Sequence, residues 1–182
     1  MPSEKVARWE VPLSDGVYIV EFEHGTTTGG RAVFINGRCI RREEFMFKLV
    51  GSEEFKIKDT HCVIRIDAVS GFAYEYCLYV NGKPLEKFTE NQSKVLKCWL
   101  CPVDGKMTRV VLEKDTLDVY VNSKRVETAG EFTDDGTETH FNISGHACYI
   151  KAITSGHKRT GLLHALIVDG CEIPEASVDQ CS

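Results

Sequence analysis

The amino-acid sequence passes through one series of landmarks twice. Val6-x-x-Trp9-x-Val11-Pro12-Leu13-Ser14-Asp15-Gly16 opens the first half, and Val95-x-x-x-Trp99-x-Cys101-Pro102-Val103-Asp104-Gly105 opens the second. Residues 20–23 return as 110–113, 33–37 as 119–123, 47–51 as 141–145 and 78–82 as 166–170. A repeat of about ninety residues is too long for a solenoid unit and suits one small domain. The sequence therefore predicts two related domains in tandem, 1–90 and 91–182, joined at the polar stretch 89–94. Between Gly51 and Gly71 the repeat loses register. Matching Ile66-Asp67-Ala68-Val69 with Ile150-Lys151-Ala152-Ile153 makes the stretch around Phe55 an extra hairpin of the first domain.

Apolar residues alternate with period two in Tyr18/Val20/Phe22, Phe45/Phe47/Leu49, Ile64/Ile66 and Tyr74/Tyr76/Leu78/Val80. The second half repeats the pattern in Val110/Leu112, Leu117/Val119/Val121, Phe141/Ile143 and Leu162/His164/Leu166/Val168. That period belongs to strands with one buried face. Asn36-Gly37, Asn81-Gly82 and Asp169-Gly170 suit two-residue hairpin turns, because these residues accept the positive φ such turns need. No long segment carries a helical stripe. The predicted fold is all-β: two antiparallel β-sandwich domains related by internal duplication.

Hydrophobic residues at 42% and charged residues at 27% describe an ordinary folded chain rather than a disordered one. A net charge of −5 argues against nucleic acid, which selects a concentrated basic face. The small clusters Arg38/Arg41/Arg42 and His157/Lys158/Arg159 read as solvated strand ends and loops. The start, Met-Pro-Ser-Glu-Lys, lacks the apolar stretch of a signal peptide, and no apolar run approaches the ~18 residues of a membrane span. A reducing compartment is therefore expected, with the eight cysteines as free thiols.

The residues that resemble a reaction centre are weighed against their counterparts in the other copy. Cys98-Trp99-Leu100-Cys101 has the spacing of a thiol redox motif and of half a zinc site. Cys101 stands where the first copy has Val11, and Cys98 where it has Arg8, so one reads as a core position and the other as a solvent position. Residues three apart on a strand point to opposite faces, so the two sulfurs diverge. Cys39, Cys62, Cys77 and Cys148 read as small buried thiols, and Cys171 and Cys181 as accessible ones. His140 and His164 are strand residues that a metal would need to gather with a third ligand. Residues 25–30 are glycine-rich but join two strands, and no helix N-terminus follows to cradle a phosphate. No cofactor and no metal set are expected. The one segment without an equivalent in the first copy is 127–140, which carries Glu127, Glu131, Asp134, Asp135 and Glu138. Its spacing fits no EF-hand loop, and a solvated or partner-facing acidic loop is the expectation.

Several long strings resemble one family. They include Val111-Leu112-Glu113-Lys114-Asp115, Glu127-Thr128-Ala129-Gly130-Glu131-Phe132 and Asp134-Asp135-Gly136-Thr137-Glu138-Thr139-His140-Phe141. Met46-Phe47-Lys48-Leu49-Val50-Gly51, Ser70-Gly71-Phe72-Ala73-Tyr74-Glu75-Tyr76 and Glu172-Ile173-Pro174-Glu175 belong to the same set. Together they resemble the Fas apoptotic inhibitory molecule family in its short form, over about 9–177. Cys98 and Cys101 depart from the family pattern and read as incidental. The resemblance implies two β-sandwich domains and a cytoplasmic, non-enzymatic regulator that protects cells from death-receptor and stress-induced apoptosis. It also implies an alternative, an ATP-independent holdase that limits stress-induced protein aggregation. A thiol redox or metal-binding protein using Cys98/Cys101 is the third reading. The implied partners are proteins of apoptotic signalling or misfolded clients, without nucleic acid or membrane insertion. An open sheet edge serves both main roles through main-chain hydrogen bonds. The candidate contact residues are Glu172, Ile173, Pro174 and Glu175 near the C-terminus, and Glu131, Asp134 and Asp135 in the acidic segment.

Overall fold

The computed structural model describes residues 4–71, 73–154 and 161–177. The described residues up to Leu13 and from Val17 to Gln92 form one compact unit, and Ser14–Gly16 with the described residues from Ser93 onward form the other. The first holds β1 (Lys5–Leu13), β2 (Gly16–His24), β3 (Arg31–Ile35) and β4 (Arg38–Glu43), which form one antiparallel sheet in that order. Its second sheet is β5 (Gly51–Ile57), β6 (Thr60–Ser70), β7 (Ala73–Val80) and the short β8 (Lys83–Pro84). Helix α1 (Leu85–Val95) follows. The second unit has a sheet of β9 (Leu96–Val103), β10 (Lys106–Glu113), β11 (Asp118–Val121) and β12 (Lys124–Val126). Its other sheet runs β13 (Ala129–Thr133), β14 (Gly136–Ile143), β15 (His146–Thr154), β16 (Leu162–Val168) and β17 (Cys171–Ile173). The fold is all-β, two sandwich-like domains with one short helix.

The duplication is visible in the two cores. Val11, Val20, Phe22 and Val33 of the first unit correspond to Cys101, Val110, Leu112 and Val119 of the second, and all are buried. Phe55/Ile57, Cys62/Ile64 and Leu78/Val80 correspond in the same way to Phe141/Ile143, Cys148/Ile150 and Leu166/Val168. Each buried aliphatic or aromatic side chain contributes about 1.5–3 kcal/mol, so these inward rows hold each sandwich together. The turns repeat as well. Asn36 (φ 50°) and Asn122 (φ 47°) each accept a backbone N–H at the side-chain oxygen, from Ile19 at 2.8 Å and Arg109 at 2.9 Å.

Three expectations fail here. Phe141 pairs by position with Phe55, not Phe47, so the Phe55 hairpin is the ordinary β5–β6 unit and no insertion. Residues 44–50 form a loop, with Phe47 95% exposed, although Phe45/Phe47/Leu49 alternate as a strand would. Lys48 and Val50 there surrender their carbonyls to the Arg31 guanidinium at 3.1 and 2.9 Å, which satisfies them outside a ladder. Finally, no helical stripe was expected, yet the stretch 89–94 named as the join lies within helix α1. Its apolar anchors Leu85, Phe88 and Val95 follow spacings of three and seven, a stripe too sparse to stand out in sequence. Glu86 in the first turn and Lys94 in the last complement the helix dipole, and Gln92 Nε2 donates to the Pro12 carbonyl at 3.0 Å.

The cysteines need a further correction. Cys98 and Cys101 do point to opposite faces of β9: Cys101 packs with Trp99, Val110 and Phe141, whereas Cys98 packs with Leu96 and Val111. Cys98 is nevertheless buried, not at solvent, because Tyr120 and Ala176 pack against that outer face too. It is also disulfide-bonded, contrary to the expectation of free thiols throughout. Cys39, Cys62, Cys77, Cys101, Cys148 and Cys171 are free. Cys39 is exposed, not buried, since β4 is an edge strand exposed along its length. Burial pushes the Cys62 thiol up to about 11 and raises Cys101, where Asp169 adds to the effect; both are poor nucleophiles. Cys181 and the cluster His157/Lys158/Arg159 lie outside the described residues.

Candidate functional site

The acidic segment folds as a hairpin. Asp134 and Asp135 occupy its two-residue turn, between Thr133 and Gly136. Thr139, Phe141 and Ile143 are buried on the inward face of β14, which leaves Glu138 and His140 on the outward face. The register sets Glu131 of β13 directly opposite Glu138 of β14. Like charges opposed on neighbouring strands repel, so this pairing costs stability unless a cationic group offsets it. His140 stands beside both: its Nε2 is 3.0 Å from Glu138 Oε2 and 3.5 Å from Glu131 Oε2. The imidazole stacks on Tyr149 of β15, with centroids 5.1 Å apart and planes at 30°. A groove of about 370 Å³ adjoins this cluster, lined by Glu127, Thr128, His140, Asn142 and Cys148 among others.

Strand β13 is itself an edge. Among the described residues it pairs only with β14, and Ala129 to Phe132 are exposed, Phe132 to 91%. On its other side no described strand pairs with it, and that side is flanked by Glu131, Asp134 and Asp135. These three predicted contact residues are therefore brought together on one hairpin. The sequence had grouped His140 with His164 instead. His140 sits opposite Tyr149 and His164 opposite Ala152, three residues apart along β15, so the two rings lie on opposite faces of the sheet. Glu138 was counted among the five carboxylates of the segment but not as a partner of His140. The signal was available in principle, because an Asp134-Asp135 turn fixes which residues oppose one another on either side of it.

The other candidate segment behaves differently. Glu172 and Ile173 belong to β17, paired with Ile167 and Leu166. Glu175 forms an antiparallel bridge with Trp99, and its carboxylate holds Lys97 Nζ at 2.9 and 3.1 Å. The N–H of Ala176 donates to the Cys98 carbonyl at 2.9 Å. Residues 172–175 thus run from one sheet of the second unit to the edge of the other rather than standing open. Glu172, Pro174 and Glu175 remain exposed.

Three turns at one end of the second unit meet at His146. Its Nδ1 lies 2.6 Å from Asp169 Oδ2 and its Nε2 2.8 Å from Asp104 Oδ1, which links the turns of both sheets. The hydrogen bonds to Asp104 and Asp169 raise its pKa above the ordinary histidine value. In the first unit, burial and then the Arg31 charge lower that of His24, whose Nδ1 meets the Tyr76 hydroxyl at 2.8 Å. His164, also in the second unit, is lowered by burial and by Lys114 and Lys97. The signs follow by linkage. His146 stabilises fully below the unfolded-state value of 6.5 and loses that contribution as pH rises through its raised folded value. His24 and His164 stabilise above 6.5 and their contribution falls away as pH drops below it. Thermal unfolding should show His146→Asn lowering the midpoint more at about pH 5.5 than at about pH 8.5. An equal effect at both would remove the charged clamp.

No helix among the described residues is long and apolar enough to cross a membrane. The model of the Fas apoptotic inhibitory molecule family matches residues 5–176. The Fas apoptotic inhibitory molecule 1 of Bos taurus is 59% identical over 175 residues, covering 95% of this chain and 87% of the relative. The proteins of the same name from Mus musculus and Homo sapiens are each 55% identical over 175 residues, covering 95% of this chain and 98% of theirs. A match of this extent and identity places the chain in the Fas apoptotic inhibitory molecule family.

Proposed function

We propose that this protein restrains apoptosis triggered by death receptors and by stress, acting in the cytoplasm by binding other proteins and catalysing no reaction. The observation that carries this reading is the β13 edge: an exposed strand, unpaired on one side among the described residues and bordered by Glu131, Asp134 and Asp135. A partner in extended conformation gains main-chain hydrogen bonds there, and the carboxylates select its charge. Residues 172–175 offer a second contact through Glu172, Pro174 and Glu175. The kinship with proteins named for inhibiting Fas-dependent apoptosis supplies the direction of the effect. In cells treated with a death-receptor ligand, the wild-type protein should lower caspase activation. The variant Glu131→Lys/Asp134→Lys/Asp135→Lys, with an unchanged circular dichroism spectrum, should lose that protection. Full protection by the folded triple variant would dismiss this edge as the contact.

A holdase reading draws on different residues. Phe45 and Phe47 are 60% and 95% exposed and stack edge to face at 5.2 Å on the loop after β4. Such an exposed apolar surface offers contact to the apolar segments of an unfolded client.

A further inference from the structure

We propose that Glu131, Glu138 and His140 form a binding site for one divalent transition-metal ion, zinc by the character of its ligands, on the outward face of the β13–β14 hairpin. One oxygen from each carboxylate and a nitrogen of His140 all lie within 4.8 Å of one another. Around a tetrahedral zinc ion with bonds of about 2.0–2.2 Å, ligand atoms stand about 3.4 Å apart. The two distances from His140 Nε2, 3.0 Å to Glu138 and 3.5 Å to Glu131, bracket that spacing.

The strand pairing explains why the ligands converge. Glu138 and His140 are two residues apart on β14 and share a face, while Glu131 is set opposite Glu138 by the register. Stacking on Tyr149 restricts the imidazole to one plane, which lowers the entropy lost on binding. The repulsion between the opposed carboxylates is relieved by a cation held between them. Lys151, across from Glu138 on β15, forms no ion pair with it among the described residues, so that charge is not already neutralised from the other side. One imidazole nitrogen with two carboxylate oxygens suits zinc better than calcium or magnesium, which take oxygen alone. Three protein ligands leave a fourth position for water or for a donor atom of a partner.

Titration of the full chain with Co²⁺, followed by competition with Zn²⁺, tests the site. One equivalent should bind, with d–d absorption but without the intense near-ultraviolet bands of thiolate coordination. Glu138→Gln and His140→Ala should each weaken binding at least about tenfold, with circular dichroism unchanged. Glu131→Gln, on the more exposed strand, provides a third variant that leaves β14 intact. Thiolate bands would assign the ion to cysteines and overturn the proposal. So would equal affinity in wild type and variants, or the lack of binding at about 0.1 mM metal.

Discussion

Glu53→Ala is expected to destabilise the first unit by about 3–5 kcal/mol, because it strands a charge in the core. Glu53 and Arg31 are each 4% exposed, and their Oε1 and Nη1 atoms are 3.0 Å apart. Arg41 Nε adds a second contact to Glu53 at 3.2 Å from the surface side. Without the carboxylate, the Arg31 guanidinium keeps its bonds to the Lys48 and Val50 carbonyls but has no counter-charge. The cost therefore reflects the partner left behind more than the worth of the pair. The double variant Arg31→Met/Glu53→Leu should be less destabilised than Glu53→Ala, since it removes both charges and fills the space. Urea unfolding of the three proteins decides this. A double variant weaker than the single would mean that the loop bonds of Arg31, and not charge burial, dominate.

Gly136→Ala should be comparably damaging to the second unit for a purely steric reason. A Cβ there would lie 1.9 Å from the Ala152 carbonyl oxygen and 3.0 Å from its carbon. Both are backbone atoms of the neighbouring strand and cannot rotate away, so β14 and β15 must separate. A loss of about 3 kcal/mol or more is expected, lowering the thermal midpoint by more than about 10 °C. Gly130, on the same hairpin, has nothing within 4 Å of its would-be Cβ. Gly130→Ala should leave the midpoint within a few degrees of wild type. Similar midpoints for the two variants would show that the strands slide apart without penalty.

Much of the fold was legible because its cores obey a simple period. Phe55/Ile57 and Phe141/Ile143 alternate inward in both copies, and the Asn36, Asn81 and Asp169 turns announce themselves by residue type. The errors arise where alternation is coincidental or weak. Phe45/Phe47/Leu49 have the right period, yet the Arg31 guanidinium takes the loop carbonyls and the rings stay in solvent. Helix α1 escaped notice because three anchors suffice to seat it. The candidate site was half legible. The acidic segment stood out by composition, but the part played by His140 and Glu138 depends on which residues face each other.

The sequence by itself determined that one strand-rich module occurs twice, and which residues turn inward, because burial repeats every second residue and a duplicated pattern is visible without coordinates. Only the tertiary structure decided that Glu131 meets Glu138 beside His140. It also decided that Glu175 is tied to Lys97, and that Cys98 is buried. Those outcomes depend on strand register and on what covers an outer face. Neither leaves a periodic mark along the chain, since both are set by contacts between segments distant in sequence.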